Sequence, residues 1–130
     1  MSNNHAPDAV RAMLANNAGV AALVGGRIYP DEAPAEADLP LIVYAVRLQE
    51  AVDGTAPICQ ASIDVHCYAE SDDDATTLMN AAAAAMETAG GRAQSTQVMW
   101  PTLEDWEPVR SAEDALWGRL LRFGATVVRG

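Results

Sequence analysis

The chain has 130 residues, a length typical of one domain, and half of these residues are hydrophobic. The formal net charge is −10, and all eight basic residues are arginines that mostly stand alone in the sequence. Tight binding to nucleic acid or to an anionic membrane depends on clustered cations, so the composition argues against both. The apolar stretches are too short to span a bilayer, and the polar first residues do not resemble a signal peptide. We therefore expect no membrane partner and synthesis in the cytoplasm.

The N-terminal part of the sequence predicts a lead and two helical segments. Residues 1–7 are expected to form a disordered lead, and residues 8–130 a single domain. Pro7 and Asp8 mark a helix start, because proline is tolerated and an acid is stabilised in the first turn. Residues 20–24 predict a second, short turn of helix that ends at two glycines.

Three strands with two polar connections follow. Residues 27–30 predict a short strand closed by proline, and residues 31–38 an acidic loop. Residues 41–48 are apolar on both faces, which is typical of a central strand. Residues 49–57 contain a turn signal inside a longer exposed loop, and residues 58–69 alternate strictly between apolar and polar side chains. This last strand has one core face and one face toward solvent or a partner.

The C-terminal half predicts a helix and two further strands. Ser71 is expected to cap a helix that continues to about Thr88, with three acids in its first turn. Residues 94–107 predict a strand that is bent or at an edge because it contains a proline. Residues 108–114 predict a polar loop, and residues 115–128 the final strand. Because runs of strands alternate with few helices, we predict an α+β fold with an antiparallel sheet of about four to five strands and two main helices on one face.

Few residues suggest chemistry. His66 shares the polar face of its strand with Asp64 and Tyr68, so a proton-handling pair is conceivable, but a surface or interface histidine is the better interpretation. Cys59 and Cys67 lie eight residues apart in one predicted strand, about 26 Å, which is too far for a disulfide. The acids after Ser71 lack the spacing of a calcium loop and are interpreted as helix-capping residues. We predict no catalytic residue, no metal and no cofactor.

Eight residues are candidates for an interface with other proteins. They lie in exposed polar loops, on the polar face of the third strand, or beside the proline of the bent strand. The two tryptophans are either core residues or interface anchors, and the loop acids either mediate axial contacts or belong to plain solvent loops. The eight are Asp31, Glu32, Asp53, Gln60, Asp64, His66, Trp100 and Trp106.

Three segments together resemble a known family. They are GGRIYP at residues 25–30, LPLIVY at residues 39–44 and IDVHCYAES at residues 63–71. Their order and spacing, over about residues 8–128, are similar to those of the tail completion proteins, or tail terminators, of long-tailed bacteriophages, prophages and gene transfer particles.

The resemblance implies a structural role and no catalytic residue. Proteins of this family form a ring, typically a hexamer, at the head-proximal end of the tail tube. The ring ends tube polymerisation and joins the tail to the head, so the expected partners are copies of the chain, the tube protein and a head-completion or connector protein. DNA would pass through without specific binding, and the protein would move from the host cytoplasm into the virion. The alternatives are another head–tail connector or minor tail protein, or a small α+β enzyme or ligand-binding domain using Asp64, His66 and Tyr68.

Overall fold

The computed structural model describes residues 5–49, 58–87, 90–93, 96–111 and 116–128. These residues form three helices and six strands. The helices are α1 (Ala6–Ala15), α2 (Ala18–Val24) and α3 (Asp72–Met86). The strands are β1 (Ile28–Pro30), β2 (Leu41–Gln49), β3 (Ile58–Ala69), β4 (Gly91–Ala93), β5 (Thr96–Ser111) and β6 (Leu116–Val128).

The strands form one mixed sheet in the order β1-β2-β3-β6-β5-β4. The α+β class is confirmed, but the prediction of four to five antiparallel strands was wrong in two respects. Strand β1 runs parallel to β2, since residues 31–40 carry the chain back along the sheet before β2 begins. Strand β4 was missed because it is only three residues long and begins with a glycine, a residue that is rare in strands.

The two main helices, α1 and α3, and the short helix between them are confirmed, and only their bounds differ from the prediction. Helix α1 begins at Ala6, so the last two residues of the predicted lead are helical. Helix α2 is a separate seven-residue helix, and the side chain of Asn17 caps it by accepting a hydrogen bond from the Val20 amide at 3.0 Å. The predicted cap of α3 is confirmed, because the Ser71 hydroxyl accepts a hydrogen bond from the Asp74 amide at 3.1 Å.

Strand β5 continues through the segment that was predicted as a loop from residue 108. Beyond Met99, β5 pairs with β6, and none of the other described strands pairs with its opposite edge there. A proline on such an edge costs no ladder hydrogen bond, which explains why Pro108 does not end the strand. The predicted bend at Pro101 is confirmed by a register shift between Met99 and Thr102.

One hydrophobic core lies between the helices and one face of the sheet. Its buried side chains come from all three helices and from alternate positions of the strands, which is the pattern that the alternation in β3 predicted. The largest fully buried members are Phe123, Leu14, Ile42, Ile63, Leu78, Met86 and Leu121. We call this side of the sheet the helix face, and the opposite side the open face.

Two free cysteines belong to the helix face. Cys59 and Cys67 are both buried on β3. Burial raises the pKa of the Cys67 thiol to about 12, so this thiol stays protonated and weakly nucleophilic at neutral pH. Among the described helices, none is long and apolar enough to cross a membrane.

Candidate assembly surface

A row of charges crosses the middle of the open face. Asp64 on β3 and Arg122 on β6 are direct partners in the sheet register. Arg47 on β2 lies 3.6 Å from Asp64, and Arg122 reaches Asp105 at 3.0 Å and Glu107 at 2.9 Å on β5. The hydrogen bond to Glu107 contributes most to raising the pKa of Arg122. Positive and negative side chains thus alternate across four strands, which favours this register because unlike charges attract across a strand pair.

One end of the open face is apolar and carries an aromatic pair. His66 stands in register between Val43 and Leu120, and the next row places Tyr68 beside Leu41. The three aliphatic side chains are buried although they point away from the helices. The His66 and Tyr68 rings stack with centroids 5.9 Å apart, and the tyrosine hydroxyl is hydrogen-bonded to Nδ1 of His66 at 3.2 Å.

The environment of this pair disfavours charge on His66. Burial lowers the pKa of His66, Asp64 opposes this shift, and Arg122 adds to it. Burial also raises the pKa of Tyr68. Both rings are therefore neutral at pH 7, which suits a packing and hydrogen-bonding role better than proton transfer.

The two side edges of the sheet are chemically unlike. At the β1 edge, the loop of residues 31–38 carries four exposed acids, and none is in an ion pair with another described residue. The loop is attached where it begins, because the Asp31 amide donates a hydrogen bond to the Tyr44 carbonyl at 2.8 Å. Asp31 has a left-handed backbone with φ of 61°, a conformation that aspartate tolerates better than most residues.

At the opposite edge, the acidic side chains of β5 and its aromatic and basic side chains lie on different faces of the sheet. Asp105 and Glu107 point to the open face, where they bind Arg122. Trp106, Pro108 and Arg110 point to the helix face, as their register partners on β6 show. These three residues, all exposed, form a strip that we call the β5 strip.

The β5 strip combines aromatic surface with an uncompensated cation. Trp106 is 48% exposed, and it is one of two large hydrophobic side chains that are exposed in the described part of the chain. The Arg110 guanidinium lies 4.1 Å from the centre of the Trp117 ring, a cation–π contact, and it has no carboxylate partner in the described part of the chain. Trp117 is only half-buried because it lies at this margin under Arg110.

Arg119 is a charged side chain buried on the helix face. It is 8% exposed and binds Asp72 in the first turn of α3. It also donates to the Thr76 hydroxyl at 3.2 Å and the Gly118 carbonyl at 2.9 Å. These contacts tie the start of α3 to β6, and they occupy this guanidinium inside the domain.

The structure places six of the eight predicted residues in three groups. Gln60, Asp64 and His66 are together on the open face, as predicted. Asp31 and Glu32 lie in the loop at the β1 edge, and Trp106 is exposed on β5, at the other side of the sheet. Trp100 belongs to β5, and its side chain lies outside the described part of the structure, as does Asp53 altogether.

Sequence reasoning missed Arg110 and Arg122 as residues of these surfaces. The sequence did contain a signal, because side chains alternate between the two faces of a strand. Arg119 and Arg122 lie three residues apart in one apolar strand and must therefore point to opposite faces. The cation–π contact of Arg110 depends on the pairing of β5 with β6, which the predicted loop at residues 108–114 concealed.

The described residues give little indication of a metal-binding or catalytic site. They contain no group of three or more His, Cys, Asp or Glu side chains that could hold a metal ion. One open groove of about 390 Å³ lies between α1 and β4, and its lining contains neither a carboxylate nor a histidine. The lining residues are Ala12, Met13, Asn16, Asn17, Gly90, Gly91 and Arg92. An enzyme using Asp64, His66 and Tyr68 would need a cleft around them, whereas they lie on a sheet face.

Comparison with known proteins identifies a family. The model of the family described as Tail completion protein gp17 matches residues 8–128. A solved chain from the virion of a native gene transfer agent (GTA) particle superposes with a TM-score of 0.74 at 20% identity, covering 95% of this chain and 93% of that one. A second solved chain, without a functional name, gives a TM-score of 0.57 at 9% identity, with coverage of 98% and 97%. At these identities the likeness shows a shared fold. None of the curated proteins matches the chain.

Proposed function

Because the chain belongs to the Tail completion protein gp17 family, we propose that it closes the head-proximal end of a phage-type tail tube as a ring. Membership of this family makes it a structural protein of a phage-type tail. The finer proposal is that a ring, with six subunits as the expected number, ends tube polymerisation and presents the surface that joins the tail to the head. The solved chain from the gene transfer agent virion supports a place in such a particle.

The observation that carries the ring proposal is the difference between the two side edges of the sheet. The β1 edge presents an acidic loop, and the β5 edge presents an aromatic strip with a cation that no described carboxylate neutralises. A two-fold dimer would bring one patch against its own copy, whereas unlike patches on opposite sides favour head-to-tail contacts. Head-to-tail contacts that close produce a ring.

The ends of the strands are the proposed contacts for the tube and the head. The connection between β2 and β3, which includes Asp53, starts and ends at one end of the sheet, where Gln49 pairs with Gln60. Contacts at the strand ends leave both side edges available for neighbouring subunits. In this arrangement the tail tube protein binds one rim and the head-completion or connector protein binds the other.

The charge of the chain is consistent with a conduit for DNA. A net charge of −10 repels phosphate, so DNA would pass through the ring without specific binding. Assembly would take place in the host cytoplasm, and the finished ring would remain in the virion.

The proposal is tested with the purified chain alone and with tail tubes polymerised from the tube protein. We expect rings in native mass spectrometry or negative-stain images, and tubes that carry one ring at a single end and stop growing. A chain that stays monomeric at every concentration, both alone and with tubes, would overturn the proposal. Rings that bind a connector but never a tube would instead favour the alternative of another head–tail joining protein.

A further inference from the structure

We infer that neighbouring subunits contact each other through the β5 strip of one copy and the acidic loop of residues 31–38 of the next. This inference rests on the proposed ring and assigns its lateral interface to named residues. The partner is a second copy of this chain. The acidic loop, predicted above as a candidate for axial contacts, is thereby assigned a lateral one.

The first argument is that the two patches lie at the same height along the strands. Tyr44 pairs with Val65, Val65 with Leu121, and Leu121 with Trp106, so one row crosses the sheet from β2 to β5. Asp31 is hydrogen-bonded to Tyr44 at the outer end of this row. The start of the acidic loop and Trp106 therefore terminate the same row on opposite sides.

The loop and the strip also end at nearly the same height along the strands. The loop returns to β2 just before Leu41, which pairs with Tyr68. Arg110 lies one row further, since it pairs with Trp117 and Trp117 pairs with Ala69. The loop and the strip thus span the same section of the sheet, and copies placed edge to edge need little displacement along the strands. A displacement at every contact would produce a helical filament, so its absence is one requirement for closure into a ring, and a rotation that divides a full turn is the other.

The third argument is charge and surface complementarity. The loop has four carboxylates without a cation, and the strip has a cation without a carboxylate, within the described residues. The acids of β5 lie away from the strip, because Asp105 and Glu107 are bound to Arg122 on the open face and the Glu104 carboxylate lies next to Gly124 on that same face. Trp106 provides exposed aromatic surface, the type of residue that most often anchors protein interfaces.

Strand pairing between copies is not part of the contact. Pro101 and Pro108 interrupt the row of amides along β5 beyond Met99, and prolines of this kind protect an edge strand from adding another strand. The interface would therefore be made by side chains. Since it includes opposite charges near the surface, it should weaken with increasing salt concentration.

The test uses charge reversal in the full chain. Arg110→Glu and the double variant Glu36→Arg/Asp38→Arg should each raise the subunit concentration needed for ring formation, or for tube capping, by about tenfold or more. The control is Arg92→Glu, which makes the same charge change on β4, at the other end of this edge, and should assemble like the wild type. All substituted side chains are exposed, and circular dichroism with thermal unfolding verifies that each variant folds.

Mixing the two deficient variants makes the test specific for a head-to-tail contact. In an alternating ring, the glutamate introduced by Arg110→Glu in one variant faces the arginines introduced in the other, while the remaining interfaces keep the native pairing. An equimolar mixture should therefore assemble at nearly the wild-type concentration. Trp106→Ala should weaken assembly in every mixture, since no second substitution replaces the lost ring.

The outcomes separate this inference from the proposed function. Rings of wild-type protein together with unimpaired assembly of Arg110→Glu would overturn the interface and leave the ring intact. Deficient variants that remain deficient when mixed would also overturn the pairing of these two patches. A wild-type chain that forms no ring and caps no tube would overturn the proposed function itself.

Discussion

The two faces of the sheet are built on different principles. The helix face buries aliphatic and aromatic side chains from three helices and five strands in one continuous core. The open face has no helix in the described part of the chain, and it combines a row of ion pairs with a small apolar area around His66. The helix face therefore holds the domain together, whereas the open face and the edges are available for contacts with other proteins.

The largest expected effect is on the helix face. Phe123 is fully buried opposite Ile63, so Phe123→Ala removes a large side chain and leaves a cavity. We expect a loss of about 3–5 kcal/mol in the free energy of unfolding, measured by urea denaturation. The control is Gln60→Ala on the open face of β3, which should change it by less than about 0.5 kcal/mol. Comparable losses for both variants would contradict the division between the faces.

Two glycines of β6 lie on the open face and differ in how tightly their neighbours pack against them. A methyl group at Gly118 would lie 2.9 Å from Cδ1 of Tyr68 and 3.2 Å from the Val109 carbonyl oxygen. A methyl group at Gly124 would lie 2.7 Å from Oε2 of Glu104, the tip of an exposed side chain that can rotate away. We expect Gly118→Ala to cost about 1–3 kcal/mol, because the tyrosine ring cannot move without losing its contact with His66.

Gly124→Ala is the matched control for this overpacking. It should stay within about 0.5 kcal/mol of the wild type in the same denaturation experiment. Equal losses at the two positions would show that the penalty comes from the strand backbone and not from the packing of Tyr68 over Gly118.

A smaller effect is expected at the start of α3, where the helix layer is fixed by local hydrogen bonds. Ser71→Ala removes the acceptor of the Asp74 amide and should cost about 1 kcal/mol in the free energy of unfolding. Thr77→Ala is the control one turn later. Its hydroxyl donates to the Asp73 carbonyl inside the helix at 3.0 Å, so its loss should be neutral or slightly stabilising.

The helix face was largely predictable from the sequence because it obeys periodic rules. The alternation of residues 58–69 placed the core side of β3 correctly, and the alternate side chains from Leu121 to Val127 are buried in the same way on one face of β6. The cap of α3 followed from a serine before an acidic turn. Each of these features depends on local spacing. Because one face is buried, only one assignment of alternate side chains to the two faces places the apolar residues in the core.

The open face and the edges could not be derived in the same way. The contact of Arg122 with Asp105 and Glu107 joins residues from two strands, and it exists only in the register that the bulges of β5 impose. The parallel pairing of β1 depends on the course of a loop whose sequence carries no directional signal. Trp106 was a candidate from composition alone, but its exposure follows from the position of β5 at the margin of the sheet.

The smallest expected effect concerns the protonation of His66 on the open face. Burial lowers its pKa in the folded protein, with Asp64 opposing this effect and Arg122 reinforcing it. As the pH falls below about 6.5, the unfolded chain binds a proton before the folded chain does, so the free energy of unfolding should decrease. Between about pH 7 and 5.5, where the carboxylates contribute least, His66→Gln should flatten this slope. An unchanged slope in the His66→Gln variant would mean that the open face, despite its buried aliphatic residues, leaves this ring as free to ionise as the unfolded chain does.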